Sequence, residues 1–321
     1  MKRRQSGAAL LTAMLTVALV ASMAAAALWQ QWRGVEVETA ERTRTQSLWV
    51  LTGALDWARL ILREDARAGG ADYLGEPWAV PLEEARLSTF LAADKGAAVD
   101  TTQAMTQVFL SGRISDLQGR MNVLNLVENG KVSTPWLHAF SRLFEQLALP
   151  VSELAAVAEN LRFAMDNSSD NGSARLAPLV PQRVDQLRWL GLSENSLAKL
   201  GNYITVLPVR TPVNLNTASV TVLHACIPTL DMAQAQRLAA SRQNEHFRTL
   251  LDAGKVAPEI AGELTDTLHS VNSRFFEVQG RLRMEQAVVD ERSVVQREGL
   301  NVRTLWRDRG GGQAVKLANL Q

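Results

Sequence analysis

From Ala8 to Trp29 the sequence carries no charged residue, and a stretch of that length and composition is long enough to cross a bilayer as a helix. The basic residues Lys2, Arg3 and Arg4 precede it, and the next charges, Arg33, Glu36 and Glu38, follow it. That asymmetry keeps the N-terminus cytoplasmic and puts the rest of the chain outside, with Trp29 and Trp32 where interfacial aromatic belts sit. A secretory signal peptide with small-residue cleavage near Ala21 to Ala27 would open the same way and leave a soluble protein. Against it, the apolar run exceeds the roughly 7–15 residues of such a core. The helical period also continues past the membrane, through Leu48, Leu51, Leu55, Ala58 and Leu62. Glu38 and Arg42, four apart, support the exposed stretch between. One helix from Ala8 to about Arg63 would be about 80 Å long.

Beyond that spike, a net charge of +1 gives no electrostatic reason to expect nucleic acid as a partner. The single cysteine, Cys226, excludes an internal disulfide; flanked by Leu223 and Ile227, it reads as a small buried apolar residue rather than a reactive thiol. His138, His224, His246 and His269 show no metal-binding spacing, and no phosphate loop, nucleophile elbow or dinucleotide fingerprint is present. An exported hydrolase with dispersed catalytic groups would leave no local motif, but the chain is read as non-catalytic.

Ala68-Gly69-Gly70-Ala71 ends the helix, and Pro77, Pro81 and Gly96-Ala97-Ala98 mark irregular connections. Apolar positions in Gln107 to Gln118 predict strands, broken near Gly112 and ended at Gly119. From Trp136 to Met165 the period becomes helical, with Phe140, Leu143, Phe144 and Leu147 on one face and Leu154, Val157, Leu161 and Met165 on another. Asp166 to Ser173 is a loop, followed by helical pieces at Val184 to Leu190 and up to Leu200. A longer helical block spans Ala218 to about Leu268; Asn216 or Thr217 is expected to cap its first helix, and Asn214 with Asn216 to brace the turn before it. After Ser270, Phe275, Glu277, Gln279 and Arg281 alternate with Phe276, Val278, Gly280 and Leu282. Val288-Val289, Val294-Val295 and Val302 to Trp306 follow with turn residues between, giving three closing antiparallel strands. Strands flanking a helical block predict one α/β domain interrupted by an inserted helical one.

Gly7 followed by Ala8-Ala9-Leu10-Leu11 fits a prepilin leader, cut between a glycine and the first residue of the span. Pro212 to Ser219, with Val222-Leu223, Ala235, Leu238 to Arg242 and Phe247, looks like a helix-hairpin-helix. In DNA-binding members a glycine-rich hairpin offers backbone N–H groups to phosphate. Here the hairpin Ile227-Pro228-Thr229-Leu230-Asp231 has no glycine, spends one position on a residue without an N–H, and carries an acid, so a protein-contact module is the better reading.

Four segments then carry a resemblance: Gly7 to Leu11, Ser115-Asp116-Leu117-Gln118-Gly119-Arg120-Met121-Asn122, Val213 to Ser219, and Val271-Asn272-Ser273-Arg274-Phe275-Phe276. In this order, across nearly the whole chain, they resemble the protein K family of the general (type II) secretion pathway, the large minor pseudopilins. The resemblance implies an α+β chain with a type IV pilin-like fold: a long N-terminal transmembrane helix packed on an antiparallel sheet, with an inserted all-α domain of SAM-like or helix-hairpin-helix type. Residues 1–7 would be a cleaved leader, 8–29 the transmembrane helix and 30–63 its periplasmic continuation. Residues 64–126 and 270–306 would form a discontinuous pilin-like domain, 127–269 the insert, and 307–321 a flexible tail.

The implied function is a non-enzymatic subunit at the tip of a periplasmic pseudopilus, anchored once in the inner membrane. Its implied partners are minor pseudopilins I and J, the major pseudopilin and the prepilin peptidase, with cleavage between Gly7 and Ala8 and N-methylation of Ala8. A fixed inner-membrane binding module is the alternative. At the fifth mature position, where a glutamate usually neutralises the N-terminus of the subunit ahead, this chain has Thr12. Family members often hold calcium in an acid-rich loop; here Asp166 and Asp170 match its start, but Gly172-Ser173-Ala174-Arg175 replaces the later acids, which leaves few oxygens for an ion that takes six to eight.

Overall fold

The computed structural model describes residues 6–89, 108–166, 177–284 and 287–310. A single helix, α1, runs from Ser6 to Ala68, 63 residues and about 95 Å. No proline interrupts it, and Gly69 and Gly70, both at positive φ, end it where the sequence predicts. Its first half is an unburied apolar cylinder with the length and composition to cross a bilayer. Trp29 and Trp32 stand together at the end of that stretch, their ring centroids 5.5 Å apart, and the Glu38–Arg42 pair closes at 3.1 Å.

The second half of α1 buries the expected stripe. Leu51, Leu55, Ala58 and Leu62 are buried, with Leu48 partly so. They pack on a five-stranded antiparallel sheet: β1 (Leu82–Arg86), β2 (Val108–Asp116), β3 (Phe275–Met284), β4 (Ala287–Glu298) and β5 (Asn301–Arg309), adjacent in that order. On β3 the residues Phe276, Val278 and Leu282 enter the same clusters as the helix stripe, joined by Trp78, Ile114, Val295 and Val302. Each large aliphatic side chain removed from water there contributes about 1.5–3 kcal/mol.

Three local expectations are corrected. Gly112 does not break its strand; β2 is continuous, and Gly112 lies opposite Gly280. A Cβ at Gly112 would stand 2.7 Å from the Gln279 carbonyl oxygen, so the glycine serves close approach rather than a turn. The polar run Asp290 to Ser293 is no turn either, because its charges are met by neighbouring strands: Asp290 by Arg281, Glu291 by Arg307 and Arg309, and Arg292 by Glu277. For the same reason Arg307 to Arg309, expected in a tail, belong to β5.

Between β2 and β3 the chain leaves the sheet to build a mostly helical body. Its helices are α2 (Thr134–Gln146), α3 (Val151–Ala164), α4 (Glu194–Leu200), α5 (Val220–Cys226), α6 (Met232–Asn244) and α7 (Leu250–Val256), with a 3-10 helix at Val184–Leu190. Phe140, Leu143, Phe144, Leu154, Val157 and Leu161 share one core with Leu223, Ile227, Leu238 and Phe247. Helix α5 is capped by Ser219, whose hydroxyl accepts from the Val222 N–H, not by Asn216 or Thr217. Those two residues are engaged in the neck below.

Candidate functional site

Three of the segments singled out in the sequence meet at one place, where the helical body joins the sheet. Asp116 ends β2, and its buried carboxylate accepts from the Ser273 hydroxyl at 2.6 Å, the Thr217 hydroxyl at 2.5 Å, the Asn214 amide at 3.1 Å and the Gln118 N–H at 2.7 Å. Burial raises its pKa, and these four donors oppose the rise. Asn214, also fully buried, shares its amide hydrogens among Asp116, Ser273 Oγ and the Asp72 carbonyl, while its own oxygen accepts from the Asn216 N–H at 2.9 Å. Asn216 in turn holds the Phe247 N–H and carbonyl, both at 2.9 Å. Gly119 is required by packing: a Cβ there would lie 2.9 Å from Thr217 Oγ1 and 3.0 Å from its carbonyl oxygen. Backbone bonds close the same neck, from Leu117 N–H to Phe275 O and from Asn214 N–H to Gln118 O.

A second layer, invisible in the sequence, ties this neck to the end of α1. Arg297 on β4 donates to Asp65 at 2.5 Å, to the Ser273 carbonyl at 2.9 Å and to Asp72. Asp72 also accepts from the Ser273 N–H at 2.7 Å. Burial pushes the Asp72 carboxyl up to about 6 against the pull of Arg297, and pushes Glu76 up to about 7 although the Tyr73 N–H and Trp78 Nε1–H donate to it. Carboxylate oxygens of Asp65, Asp72 and Glu76 lie within 4.8 Å of one another. Two of the three already face the Arg297 guanidinium, which disfavours a further cation there. What this arrangement does is mechanical: it fixes the helical body to both α1 and the sheet.

The other singled-out residues lie elsewhere. Gly7 and Ala8 fall inside α1, in its first turn. Thr12 faces outward, and its hydroxyl donates within its own helix, to Ala8 O at 3.1 Å and Ala9 O at 2.9 Å. Asp166 follows α3, partly buried; Asp170 lies outside the described residues, as do Met1 to Gln5, Gly96 to Ala98 and the chain after Gly310. Cys226 is buried, its thiol donating to Val222 O and pushed up to about 12 by burial, which leaves it unreactive. In the hairpin, Glu263 accepts the Thr229 N–H at 3.2 Å, and Arg142 donates to the Ile227 and Leu230 carbonyls. Asp231 caps α6. Sequence reasoning missed Asp65, Asp72, Glu76 and Arg297, and no local pattern marks them.

This chain is similar to known proteins over much of its length. Two family models, each described as type II secretion system (T2SS), protein K, match residues 119–209, which include Asn122, and residues 213–272, which include Asn214 and Asn272. The type II secretion system protein K of Pseudomonas aeruginosa is 28% identical over 333 residues, covering 97% of this chain and 91% of the relative. That of Pectobacterium carotovorum subsp. carotovorum is 25% identical over 345 residues, covering 98% and 99%. Among solved structures, a chain of the GspK-GspI-GspJ complex from the enterotoxigenic Escherichia coli type 2 secretion system matches with a TM-score of 0.64 and 18% identity. That match covers 85% of this chain and 99% of the other, and speaks to the fold.

Proposed function

We infer the role of this chain from its family: it belongs to the type II secretion system protein K family and is a minor pseudopilin. Its place is the distal end of the periplasmic pseudopilus, entering first and starting or capping assembly. The observation that carries this placement is the uncharged run from Ala8 to Trp29 with Thr12 at the fifth mature position. A bare ammonium in an apolar helix bundle is costly, and a joining subunit normally neutralises the one ahead of it. Thr12 supplies no such charge, and its hydroxyl is used inside its own helix. A subunit of this kind needs no predecessor, while the Ala8 ammonium is still open to a successor's acid.

The same reading gives leader removal between Gly7 and Ala8 by the prepilin peptidase, N-methylation of Ala8, a single inner-membrane span and a periplasmic body. Minor pseudopilins I and J are the proposed direct partners, by analogy with the GspK-GspI-GspJ complex of E. coli, with the major pseudopilin below them. The chain acts by position rather than by catalysis: the buried acids at the neck are all engaged in structural bonds. Nucleic acid is not proposed as a partner: the hairpin has no glycine, the net charge is +1, and Glu263 accepts the Thr229 N–H, one of those that a phosphate would use. The two carboxylates of Asp166 and Asp170 fall short of the oxygen count that calcium usually takes.

Labelling the periplasmic body in cells and imaging sheared filaments tests the placement. One label at the far end of each filament, together with co-purification of pseudopilins I and J, is expected. Labels repeated along the shaft, or a retained leader on the membrane-bound protein, would replace it with a shaft subunit or a fixed membrane module respectively.

A further inference from the structure

The sheet face turned away from α1 carries more guanidinium groups than its own carboxylates match. Arg113 on β2 and Arg292 on β4 flank Gln279 on β3 in direct register, and one pair further along stand Ser115, Glu277 and Val294. Glu277 is almost wholly buried; it accepts from Arg292 Nε and from Gln279 Nε2, while Arg113 Nε donates to Gln279 Oε1 at 2.9 Å. Arg120 reaches the same carboxylate region from the turn after β2. Burial pushes its pKa down; the charges of Arg292 and Arg113 add to this, and Glu277 and, less strongly, Asp116 oppose it. At the neighbouring strand, Arg183 and Arg292 both stand over the Trp306 ring, 5.1 and 5.5 Å from its centroid, and Arg183 pairs with Asp308.

Four guanidiniums, of Arg113, Arg120, Arg183 and Arg292, therefore face three carboxylates, and all three are already engaged, Glu277 with Arg292, Asp308 with Arg183, and Asp116, which also draws on Arg120, with its four hydrogen-bond donors. Among the described residues Arg113 and Arg120 have no ion-pair partner. Elsewhere on this face charges cancel, in Arg281–Asp290 and Arg283–Glu84. A guanidinium held partly out of water without a counter-charge is unfavourable, and a carboxylate matches its fork of donors in two parallel bonds. The surface is a strand face partly covered by Leu207 and Arg183 of the helical body and bordered by an exposed Arg292 and an aromatic ring, the composition of a protein interface rather than of an enclosed small-molecule pocket.

We propose that the sheet face around Arg113 and Arg120 is a docking surface for an acidic segment of a protein partner, whose Asp or Glu carboxylate pairs with these two arginines. Charge complementarity selects the occupant. Because α1 covers the opposite face of the sheet, this partner arrives from the side away from the membrane helix.

The test uses the full chain in detergent and a fluorescein-labelled hexaglutamate peptide as probe, with hexalysine, inorganic sulfate and a short DNA duplex as comparisons. The peptide is expected to bind in a salt-sensitive way, and Arg113→Gln with Arg120→Gln to weaken it by about tenfold. Arg113→Gln alone, at a partly exposed position, carries the same direction if the double variant does not fold, and Arg303→Gln, outside the cluster, leaves binding unchanged. Equal peptide affinity in wild type and Arg113→Gln overturns the proposal. So does sulfate binding as tightly as the peptide, which would mean a free-anion site, or a duplex that binds more tightly through the same arginines.

Discussion

The Asn214 side-chain amide donates to Asp116 Oδ2 at 3.1 Å, although 98 residues separate them. The bond joins the last residue of β2 to the neck of the helical body, and the same amide reaches Ser273 just before β3. One side chain thus fastens the two strands between which the whole helical body is inserted.

Asn214→Ala removes donors from Asp116, Ser273 and the Asp72 carbonyl and leaves the Asn216 N–H without its acceptor. Buried polar groups left unpaired in this way are expected to cost about 2–4 kcal/mol. Urea unfolding followed by tryptophan fluorescence measures it, with exposed Asn202→Ala as the control. A loss no larger than that of the control would mean the neck is held by other contacts.

Glu76 gives the chain a pH dependence whose sign is fixed by burial. Its carboxyl is raised from 4.5 to about 7 in the fold. The protonated form is the one the fold prefers, so its stability contribution is whole below pH 4.5 and is lost as pH rises through about 7. Glu76→Gln keeps an acceptor for the Tyr73 and Trp78 N–H groups and cannot ionise. The variant is expected to match wild type at low pH and to melt higher above neutrality; equal melting temperatures at pH 8 would contradict the assignment.

Two glycines are expected to respond with opposite signs. At Gly112 an added Cβ meets the Gln279 carbonyl at 2.7 Å, and Gly112→Val should destabilise by about 2 kcal/mol or more through strain between β2 and β3. Gly53, on the exposed side of α1, has nothing within 4 Å, and Gly53→Ala should stabilise by about 0.5–1 kcal/mol. Thermal unfolding of both variants checks the pair, and a common sign would refute the packing argument.

The two ends of the proposed life cycle are separable by single substitutions near the N-terminus. Gly7→Leu is expected to leave the precursor uncut, as read by N-terminal sequencing from native membranes. Thr12→Val removes only bonds to Ala8 and Ala9 of the same helix and should leave secretion intact. Secretion lost with normal processing would assign the hydroxyl a role outside its helix.

Helix and strand periods were legible because they are local: an uncharged run sets α1, a three-four stripe of Leu51, Leu55, Ala58 and Leu62 sets its buried face, and the alternation from Phe275 to Leu282 sets β3. The segments holding Asp116, Asn214 and Ser273 were recognisable, yet nothing local said that they touch. Where the sequence misled, as at Gly112 and at Asp290 to Ser293, a residue that favours turns in isolation was claimed by a neighbouring strand, through close backbone approach or through cross-strand ion pairs. Asp65, Asp72, Glu76 and Arg297, like Arg113, Arg120 and Glu277, gain their chemistry from burial and from partners distant in the chain. Desolvation and Coulomb energy depend on distances in space, and so only the tertiary structure decided which charges are paired, which carboxyl holds its proton and which arginines remain for a partner.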